Sequence, residues 1–169
     1  SEEWMSKLNV YYLNDRDTGS VNLIHGTGGT VFKRSILNIM GNQMFDPLFA
    51  LTGGEDADFF IRAKLGGAKF YRANEAICYE IIDEKRADFK WAKDRYYRIG
   101  FCDSKLNAKY KKVSFYYLIA FISVIVYFIF SLIHFDDLKR KKYACLVSRQ
   151  MGKLAFLFGK NKIFYKKRG

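Results

Sequence analysis

Gly53-Gly54-Glu55-Asp56-Ala57-Asp58 is the stretch that decides the fold, because it joins a flexible turn to the start of a helix. The two glycines allow backbone conformations that other residues rarely adopt. Three carboxylates then follow within four positions. Such carboxylates repel one another unless a helix N-terminus, a cation or a substrate compensates their charge. One of them can act as a plain N-cap, and a doubled carboxylate is better explained if the second reaches a substrate.

The helix that follows this stretch is predicted to have a buried face and an exposed face. Glu55 and Asp56 lie where it begins, Asp58 to Leu65 continues it, and Gly66-Gly67 ends it. The residues expected to face the core are Phe59, Phe60 and Ala63. Those expected to face solvent are Asp58, Arg62 and Lys64.

A second glycine-rich turn lies upstream. Val21 to His25 is predicted as a strand that runs into Gly26-Thr27-Gly28-Gly29-Thr30, and Ser35 to Met40 as a short helix. The turn lacks the spacings of phosphate-binding glycine loops, so a tight turn lining a substrate cleft is favoured over a phosphate cradle. Ala68 to Tyr71 and Ala76 to Ile82 are predicted as short strands.

A further candidate feature is a helix predicted from Arg86 to Gly100. Trp91, Arg95 and Arg98 are spaced i, i+4 and i+7 and therefore share one face of this helix. Two guanidinium groups beside an indole could hold an anionic, ring-bearing group such as a nucleotide diphosphate. An ordinary surface helix, with Arg98 paired to Asp94, explains the pattern equally well.

The sequence Asp15-Arg16-Asp17 could bind a divalent cation together with a diphosphate. The neighbouring Asn14 and Gly19 are typical turn residues, so a solvated turn is favoured. No convincing metal-ligand motif is therefore predicted in this chain.

The net charge of +12 would suit a nucleic-acid-binding protein, but its distribution argues against that class. Residues 1–100 contain 14 Lys/Arg and 14 Asp/Glu, whereas residues 101–169 contain 15 Lys/Arg and 3 Asp. The basic excess therefore lies in the part of the chain that also carries a long apolar stretch. A membrane surface is the better partner for it, and no nucleic-acid partner is predicted.

The cysteines indicate a protein that faces the cytosol. Cys78, Cys102 and Cys145 form no CxxC pair and are expected to be reduced thiols that are buried or face a membrane. Ser1 to Val10 is polar and lacks the apolar core of a signal peptide.

The long apolar stretch, Val113 to Phe135, contains no Lys, Arg, Asp or Glu over 23 residues. A helix of that length covers roughly 34 Å, enough to cross the hydrocarbon core of a bilayer. A buried core helix is less favoured because Lys109, Lys111 and Lys112 precede the stretch and Lys139 to Lys142 follow it. One crossing cannot satisfy the positive-inside rule at both ends, so a true span and a re-entrant helix with both ends cytoplasmic remain open.

Residues 143–158 are predicted as a surface helix that lies on an anionic bilayer. Its apolar residues recur at roughly helical spacing: Leu146, Val147, Met151, Leu154 and Phe158. Arg149 and Lys153 take another face, and Lys160 to Arg168 continues as a basic, aromatic tail.

In this order, the motifs resemble the inverting family-2 glycosyltransferases with a GT-A fold, in particular bacterial polysaccharide enzymes of the succinoglycan-synthesis type. The resemblance covers about residues 20–100, the acceptor-side half of such a domain. The residues that carry it are Gly26-Thr27-Gly28, Phe32-Lys33-Arg34, Phe45-Asp46-Pro47, Gly53-Gly54-Glu55-Asp56-Ala57-Asp58, Gly67-Ala68, Tyr79-Glu80, Arg86, Trp91 and Arg95-Tyr96-Tyr97-Arg98-Ile99-Gly100.

The resemblance implies a role for each of these site residues. Asp56 resembles the family's general base, which takes the proton from an acceptor hydroxyl as its oxygen attacks the anomeric carbon. Glu55 would orient Asp56 or contact the acceptor. Arg95 and Arg98 would neutralise the leaving nucleoside diphosphate. The remaining substrate-binding residues that the resemblance implies are Gly53, Gly54, Thr27, Gly28 and Trp91.

The sequence also departs from the family pattern. Gly29 stands where an Asn is expected, Asp83 where a Pro is expected, and Gly100 where a Trp is expected. The family's donor-binding half, a βαβ pattern that ends in Asp-x-Asp, is expected before residue 20 and is not found there. We therefore expect this chain to be the C-terminal portion of such an enzyme, as a split or truncated product or as a fragment of a longer chain.

The predicted fold class is α/β, with the acceptor-side half of a GT-A domain over residues 1–104. A membrane-associated helix with basic flanks follows over residues 105–142, and a basic amphipathic interfacial tail over residues 143–169. The predicted function is transfer of a sugar from a nucleotide-sugar donor to a lipid-linked glycan acceptor in polysaccharide biosynthesis, at the cytoplasmic face of the cell membrane.

For the complete enzyme the resemblance implies a divalent cation, Mg²⁺ or Mn²⁺, and the donor-binding half as the protein partner. The isolated fragment is expected to be inactive. The alternative function is a non-catalytic membrane-bound scaffold or a remnant of such an enzyme, in which the carboxylates merely cap a helix.

Overall fold

The computed structural model describes residues 4–5, 8, 17–24, 26–41, 43–79, 81–110, 115–159 and 163–164. The described part of the chain is mostly helical with a small two-stranded sheet. Helices and strands are both present, as the α/β prediction requires, but there are fewer strands than we predicted. Residue contacts divide the chain into two units. The sheet unit comprises Asn14–Glu80 and Tyr165–Gly169, and the helical unit comprises Ser1–Leu13 and Ile81–Phe164. The domain boundaries at residues 104 and 142 differ from this division and stay a prediction.

The sheet unit combines two short strands with two helices and one 3-10 turn among its described residues. In chain order they are β1 (Gly19–Val21), α1 (Ile36–Met40), the 3-10 turn (Pro47–Phe49), α2 (Glu55–Leu65) and β2 (Phe70–Arg72). β1 pairs antiparallel with β2, with Ser20 opposite Tyr71. Both helices lie where the sequence predicts them, and β2 overlaps the strand predicted from Ala68 to Tyr71.

The core of the sheet unit is formed by α1, α2 and β2. Its buried residues are Ile36, Met40, Phe59, Phe60, Ala63 and Phe70. The ring of Phe60 lies edge-to-face with Phe59 at 5.1 Å and with Phe70 at 6.0 Å between centroids. Each such pair contributes about 0.5–1.5 kcal/mol beyond simple burial. The predicted inward face of α2 is therefore confirmed.

Two strand predictions need correction. β1 occupies Gly19–Val21, so the strand predicted from Val21 to His25 begins too late, and His25 itself lies outside the described residues. In the segment predicted as a strand from Ala76 to Ile82, the described residues form none. The exposed side chains there are Ile77, Tyr79 and Ile81, at 69%, 93% and 97%. A β-favouring composition predicts a strand only where a neighbouring strand can pair with it.

The helical unit contains three long helices: α3 (Phe89–Tyr110), α4 (Tyr116–Ile133) and α5 (Asp137–Phe158). Side-chain caps fix where two of them begin. Asp88 accepts a hydrogen bond from the N–H of Trp91 at 2.6 Å, and Asp136 accepts one from the N–H of Lys139 at 2.7 Å. α3 therefore starts later than the predicted Arg86, and α5 starts before the predicted residue 143.

α3 and α5 cross at two glycines, one on each helix. A Cβ atom added to Gly100 would lie 1.8 Å from the carbonyl oxygen of Arg149. A Cβ atom added to Gly152 would lie 2.0 Å from the carbonyl oxygen of Tyr97. The two backbones approach so closely only because neither glycine carries a side chain.

Polar contacts flank this crossing. Arg149 donates to Asp103 Oδ2 from Nε at 2.9 Å and from Nη2 at 2.7 Å. The hydroxyl of Ser104 donates to the carbonyl oxygen of Lys153 at 3.0 Å. Burial lowers the pKa of Lys153. Residues 143–158 are thus part of a helix packed within the unit, and their predicted contact with a bilayer stays a prediction.

The residues near the start of the chain pack into the helical unit. Met5 and Leu8 are buried with Ala92 of α3 and Cys145 of α5. The hydroxyl of Tyr96 donates to the carbonyl oxygen of Leu8 at 3.0 Å. Burial raises the pKa of the Cys145 thiol to about 11, whereas Cys78 in the sheet unit is exposed. The prediction of a buried thiol is confirmed for Cys145 but not for Cys78.

α4 exposes most of its apolar side chains. Only 6% of its 18 residues are buried, and its mean hydropathy is 2.4. On one side, the Tyr143 ring of α5 packs against Tyr127, Phe130 and His134 at 6.2, 5.2 and 5.1 Å between centroids. α4 is long and apolar enough to cross a membrane, and its exposure argues against the alternative of a buried core helix. Val113 and Ser114, where the predicted span begins, lie outside the described residues.

Candidate functional site

The turn that enters α2 uses the conformational freedom of its two glycines. Gly53 has φ 81° and Gly54 has φ 96°, a left-handed region that side chains disfavour. Gly54 is the N-cap residue of α2, and its carbonyl accepts the N–H of Asp58 at 2.9 Å. The alternative in which Glu55 or Asp56 is the N-cap residue is therefore wrong. Both carboxylates lie in the first turn of α2, where the helix N-terminus favours negative charge.

Asp56 is held by Thr27. Its Oδ2 accepts the backbone N–H of Thr27 at 3.2 Å and the Thr27 hydroxyl at 3.0 Å. Thr30 closes the same turn, because its N–H donates to the Thr27 carbonyl at 3.1 Å and its hydroxyl donates to the Gly26 carbonyl at 3.0 Å. No described residue donates to Oδ1 of Asp56. The carboxylate is thus oriented through one oxygen, which leaves the other for a bound molecule.

Gly28 and Gly29 follow Thr27, and they differ in backbone conformation and in the space around them. Gly28 is exposed, and a Cβ there would meet no atom within 4 Å. Gly29 has φ 67°, and a Cβ there would lie 3.0 Å from Sγ of Cys78. Asn is, after glycine, among the residues that best tolerate a left-handed conformation. Gly29 stands where the family pattern has Asn, and both residue types suit the left-handed backbone conformation at this position.

Glu55 carries a carboxylate oxygen that the described residues do not satisfy. Its Oε2 is buried and accepts no hydrogen bond from them. A buried polar atom without a partner costs on the order of 1–3 kcal/mol. A hydroxyl group of a bound molecule would satisfy this oxygen.

Asp58 is a structural residue, and the prediction that it faces solvent is wrong. Its side chain is fully buried and accepts a hydrogen bond from Arg62 Nε at 2.9 Å. Arg62 also donates to the carbonyl oxygens of Gln43 at 2.9 Å and of Met44 at 2.6 Å. The guanidinium group compensates the buried charge and ties α2 to the segment after α1.

Asp58→Asn is expected to destabilise the sheet unit by about 2 kcal/mol, because it leaves Arg62 without its anionic partner. The Arg62 side chain is 23% exposed, so water offsets part of the loss. Backbone amides of α2 should then exchange hydrogen about 30-fold faster, which mass spectrometry of the full chain can measure. Asp46→Asn is the matched control: Asp46 caps the 3-10 turn through the N–H of Leu48, and Asn caps almost as well. Equal exchange rates in the two variants would contradict the assignment.

Trp91, Arg95 and Arg98 lie on α3 in the helical unit. The guanidinium carbon of Arg95 is 5.5 Å from the centroid of the Trp91 ring, as expected for residues that share a helix face. Trp91 also packs against the buried cluster that contains Met5 and Leu8, so the indole has a structural contact of its own. The diphosphate clamp and the pairing of Arg98 with Asp94 both stay predictions.

The carboxylates of α2 do not form a metal-ligand set. Among the described residues, no group of three or more His, Cys, Asp or Glu side chains could hold a metal ion. Asp58 is directed to Arg62 and Asp56 to Thr27, so the two carboxylates have separate partners. Asp15 and Arg16 of the Asp-x-Asp sequence lie outside the described residues. The Mg²⁺ or Mn²⁺ expected for the complete enzyme stays a prediction, and no step is assigned to it.

Three residues that line a cavity of the sheet unit are not among the predicted site residues. Thr30, Lys33 and Lys69 line one cavity of about 320 Å³ in the sheet unit. Lys33 belongs to the Phe32-Lys33-Arg34 motif, which could have drawn attention to it. Lys69 carries no such signal.

Comparisons with protein-family models, with curated proteins and with solved structures found no match for this chain. Similarity to known proteins therefore assigns neither a family nor a fold. The resemblance to family-2 glycosyltransferases rests on its motif residues alone. The contacts of Asp56 and Glu55 are independent of that resemblance and bear on the chemistry directly.

Proposed function

We propose that this chain is the acceptor-binding and membrane-anchoring portion of an inverting, family-2 glycosyltransferase with a GT-A fold. It acts at the cytoplasmic membrane face and passes a sugar from a nucleotide-sugar donor to a lipid-linked glycan acceptor. The observation that carries the proposal is the contact of Thr27 with Asp56 at the glycine turn before α2. That contact orients a carboxylate at a helix start and leaves one of its oxygens without a donor among the described residues.

Asp56 is the general base in this proposal. The acceptor hydroxyl oxygen attacks the anomeric carbon, and the bond from that carbon to the diphosphate oxygen breaks. The hydroxyl proton passes to Oδ1 of Asp56 as the new bond forms. Attack from the face opposite the leaving group inverts the anomeric centre. The two hydrogen bonds from Thr27 support this role because they fix the carboxylate before the acceptor binds.

Glu55 contacts the acceptor in this proposal. Its buried Oε2 lacks a donor among the described residues, and a second hydroxyl of a sugar acceptor would supply one. The resemblance assigns the leaving diphosphate to Arg95 and Arg98 of the helical unit, and that assignment stays a prediction.

The membrane part of the proposal rests on α4. A helix of mean hydropathy 2.4 with 6% of its residues buried would expose a large apolar surface to water unless lipid or protein covers it. Lys139, Arg140, Lys141 and Lys142 follow closely in α5, where basic side chains can reach lipid phosphates. Membrane location makes a lipid-linked acceptor the natural substrate class.

The test is incorporation of radiolabel from nucleotide sugars into the lipid fraction of membranes that contain this chain together with its donor-binding half. We expect label to enter lipid with one nucleotide sugar of a panel and not in membranes without the chain. The chain alone is expected to bind no donor. A folded, membrane-bound complex that transfers none of the panel's sugars would contradict the proposal.

The second candidate is a non-catalytic membrane-bound scaffold. The observation in its favour is that Asp56 and Asp58 both make contacts that stabilise the sheet unit. If the chain is a scaffold, substitutions at Asp56 change its stability but not the rate of sugar transfer. The transfer assay therefore distinguishes the two candidate functions.

A further inference from the structure

The sheet unit contains a cavity of about 320 Å³ on the side of β2 and α1. Cavities of this size bind small molecules or the end of a larger one. Most of the residues that line it are apolar, among them Ile36, Phe60 and Phe70, and the hydroxyl-bearing ones are Thr30, Ser35 and Tyr71. Phe60, Phe70 and Ile36 are buried core residues, so the floor of the cavity is apolar and fixed.

Two lysines, Lys33 and Lys69, are the charged residues of this lining, and no carboxylate is among the lining residues. Neither lysine forms an ion pair with another described residue. Two cationic side chains and no carboxylate in the lining favour an anionic ligand. A phosphate monoester, with a charge of roughly −1.5 to −2 at neutral pH, matches two ammonium groups better than a carboxylate does.

The cavity and the candidate base share one turn. Thr30 lines the cavity, and its hydrogen bonds close the turn that presents Thr27 to Asp56.

We propose that the cavity lined by Lys33 and Lys69 binds a phosphate monoester that carries an apolar or ring-bearing group. The proposal does not depend on the proposed function. The lysines bind the phosphate as point charges, the hydroxyls donate to its oxygens, and the apolar floor covers the attached group.

The test is binding of soluble probes to the full chain in phosphatidylcholine nanodiscs. The probes are radiolabelled hexyl phosphate, inorganic phosphate and heptanoate, measured by equilibrium dialysis. We expect hexyl phosphate to bind more tightly than the other two. Lys33→Gln/Lys69→Gln is expected to weaken hexyl phosphate binding at least about tenfold.

The matched control is Lys85→Gln/Lys90→Gln, which removes two exposed lysines of the helical unit and the same total charge. It is expected to change the affinity by less than about twofold, since neither lysine lines the cavity and exposed charges outside it are screened by salt. Equal weakening in both double variants, or unchanged binding in Lys33→Gln/Lys69→Gln, would overturn the proposal. Equal affinity for inorganic phosphate and hexyl phosphate would contradict a ligand with an attached apolar group and would indicate that the cavity binds free phosphate.

This experiment separates the cavity from the proposed function, because it requires no sugar transfer. Loss of hexyl phosphate binding in Lys33→Gln/Lys69→Gln but not in the control supports the phosphate site even if sugar transfer is never detected. In that case only the proposed function fails. Detected transfer without any effect of the two lysines on binding would overturn the cavity and leave the proposed function standing.

Discussion

Asp56→Asn is expected to lower the rate of sugar transfer by about 10²–10⁴-fold, the usual contribution of a general base. The Asn side chain keeps an oxygen that can accept both hydrogen bonds from Thr27, so the turn before α2 should retain its structure. It cannot take up the proton of the acceptor hydroxyl. The measurement is transfer from nucleotide sugar to lipid acceptor by the chain together with its donor-binding half, alongside hydrogen exchange of α2 and membrane association.

Two further substitutions calibrate this result. Thr27→Val removes one of the two hydrogen bonds to Asp56 but retains the base, so we expect a smaller loss of rate, about tenfold. Asp58→Asn removes a carboxylate of α2 whose partner is Arg62, and the activity of this variant should fall only as far as its folded fraction falls. Turnover retained in folded Asp56→Asn would contradict the role of the base and favour the scaffold.

The turn and helix of the candidate site could be predicted because their signals are local. Gly53 and Gly54 have positive φ, and glycine is the residue that adopts such angles without strain. α2 begins at Glu55, as the carboxylates and the glycines before them indicate. Glycines also mark its end. Each of these features depends on residues that are adjacent in the sequence.

Features that depend on distant residues could not be predicted. Asp58 is buried because Arg62 reaches it while also donating to main-chain oxygens of Gln43 and Met44. The i,i+4 spacing of Asp58 and Arg62 allows this ion pair, but it does not reveal the bonds from Arg62 to the segment after α1. The segment from Ala76 to Ile82 has the composition of a strand, but a strand also requires a partner.

The candidate site shows the same limit. Glu55 and Asp56 could be selected from their motif, but the hydrogen bonds between Thr27 and Asp56 connect residues 29 positions apart. Periodicity does not report such contacts, since it concerns one element at a time. The cavity was missed for this reason too. Lys33 belongs to a motif of the resemblance and Lys69 to none, and the two line a common cavity only after α1 and β2 have packed.

Gly152→Ala is expected to destabilise the helical unit by about 3 kcal/mol, the upper part of the range for overpacking. Its new methyl group would lie 2.0 Å from the Tyr97 carbonyl oxygen, which is backbone and cannot rotate away. The helices α3 and α5 must therefore separate, and the hydrogen bonds from Arg149 to Asp103 and from Ser104 to Lys153 lengthen with them. The measurement is hydrogen exchange of α3 and α5 amides in nanodiscs.

Gly159→Ala is the control at the end of the same helix. A Cβ there would meet its nearest atom, the Ala155 carbonyl oxygen, at 3.9 Å, so this substitution should change stability by less than about 1 kcal/mol. Equal exchange rates in Gly152→Ala and Gly159→Ala would contradict the close crossing. Gly100→Ala should match Gly152→Ala, because its methyl group would lie 1.8 Å from the Arg149 carbonyl oxygen. The double variant Gly100→Ala/Gly152→Ala should cost clearly less than the sum of the two, since one separation of the helices relieves both clashes.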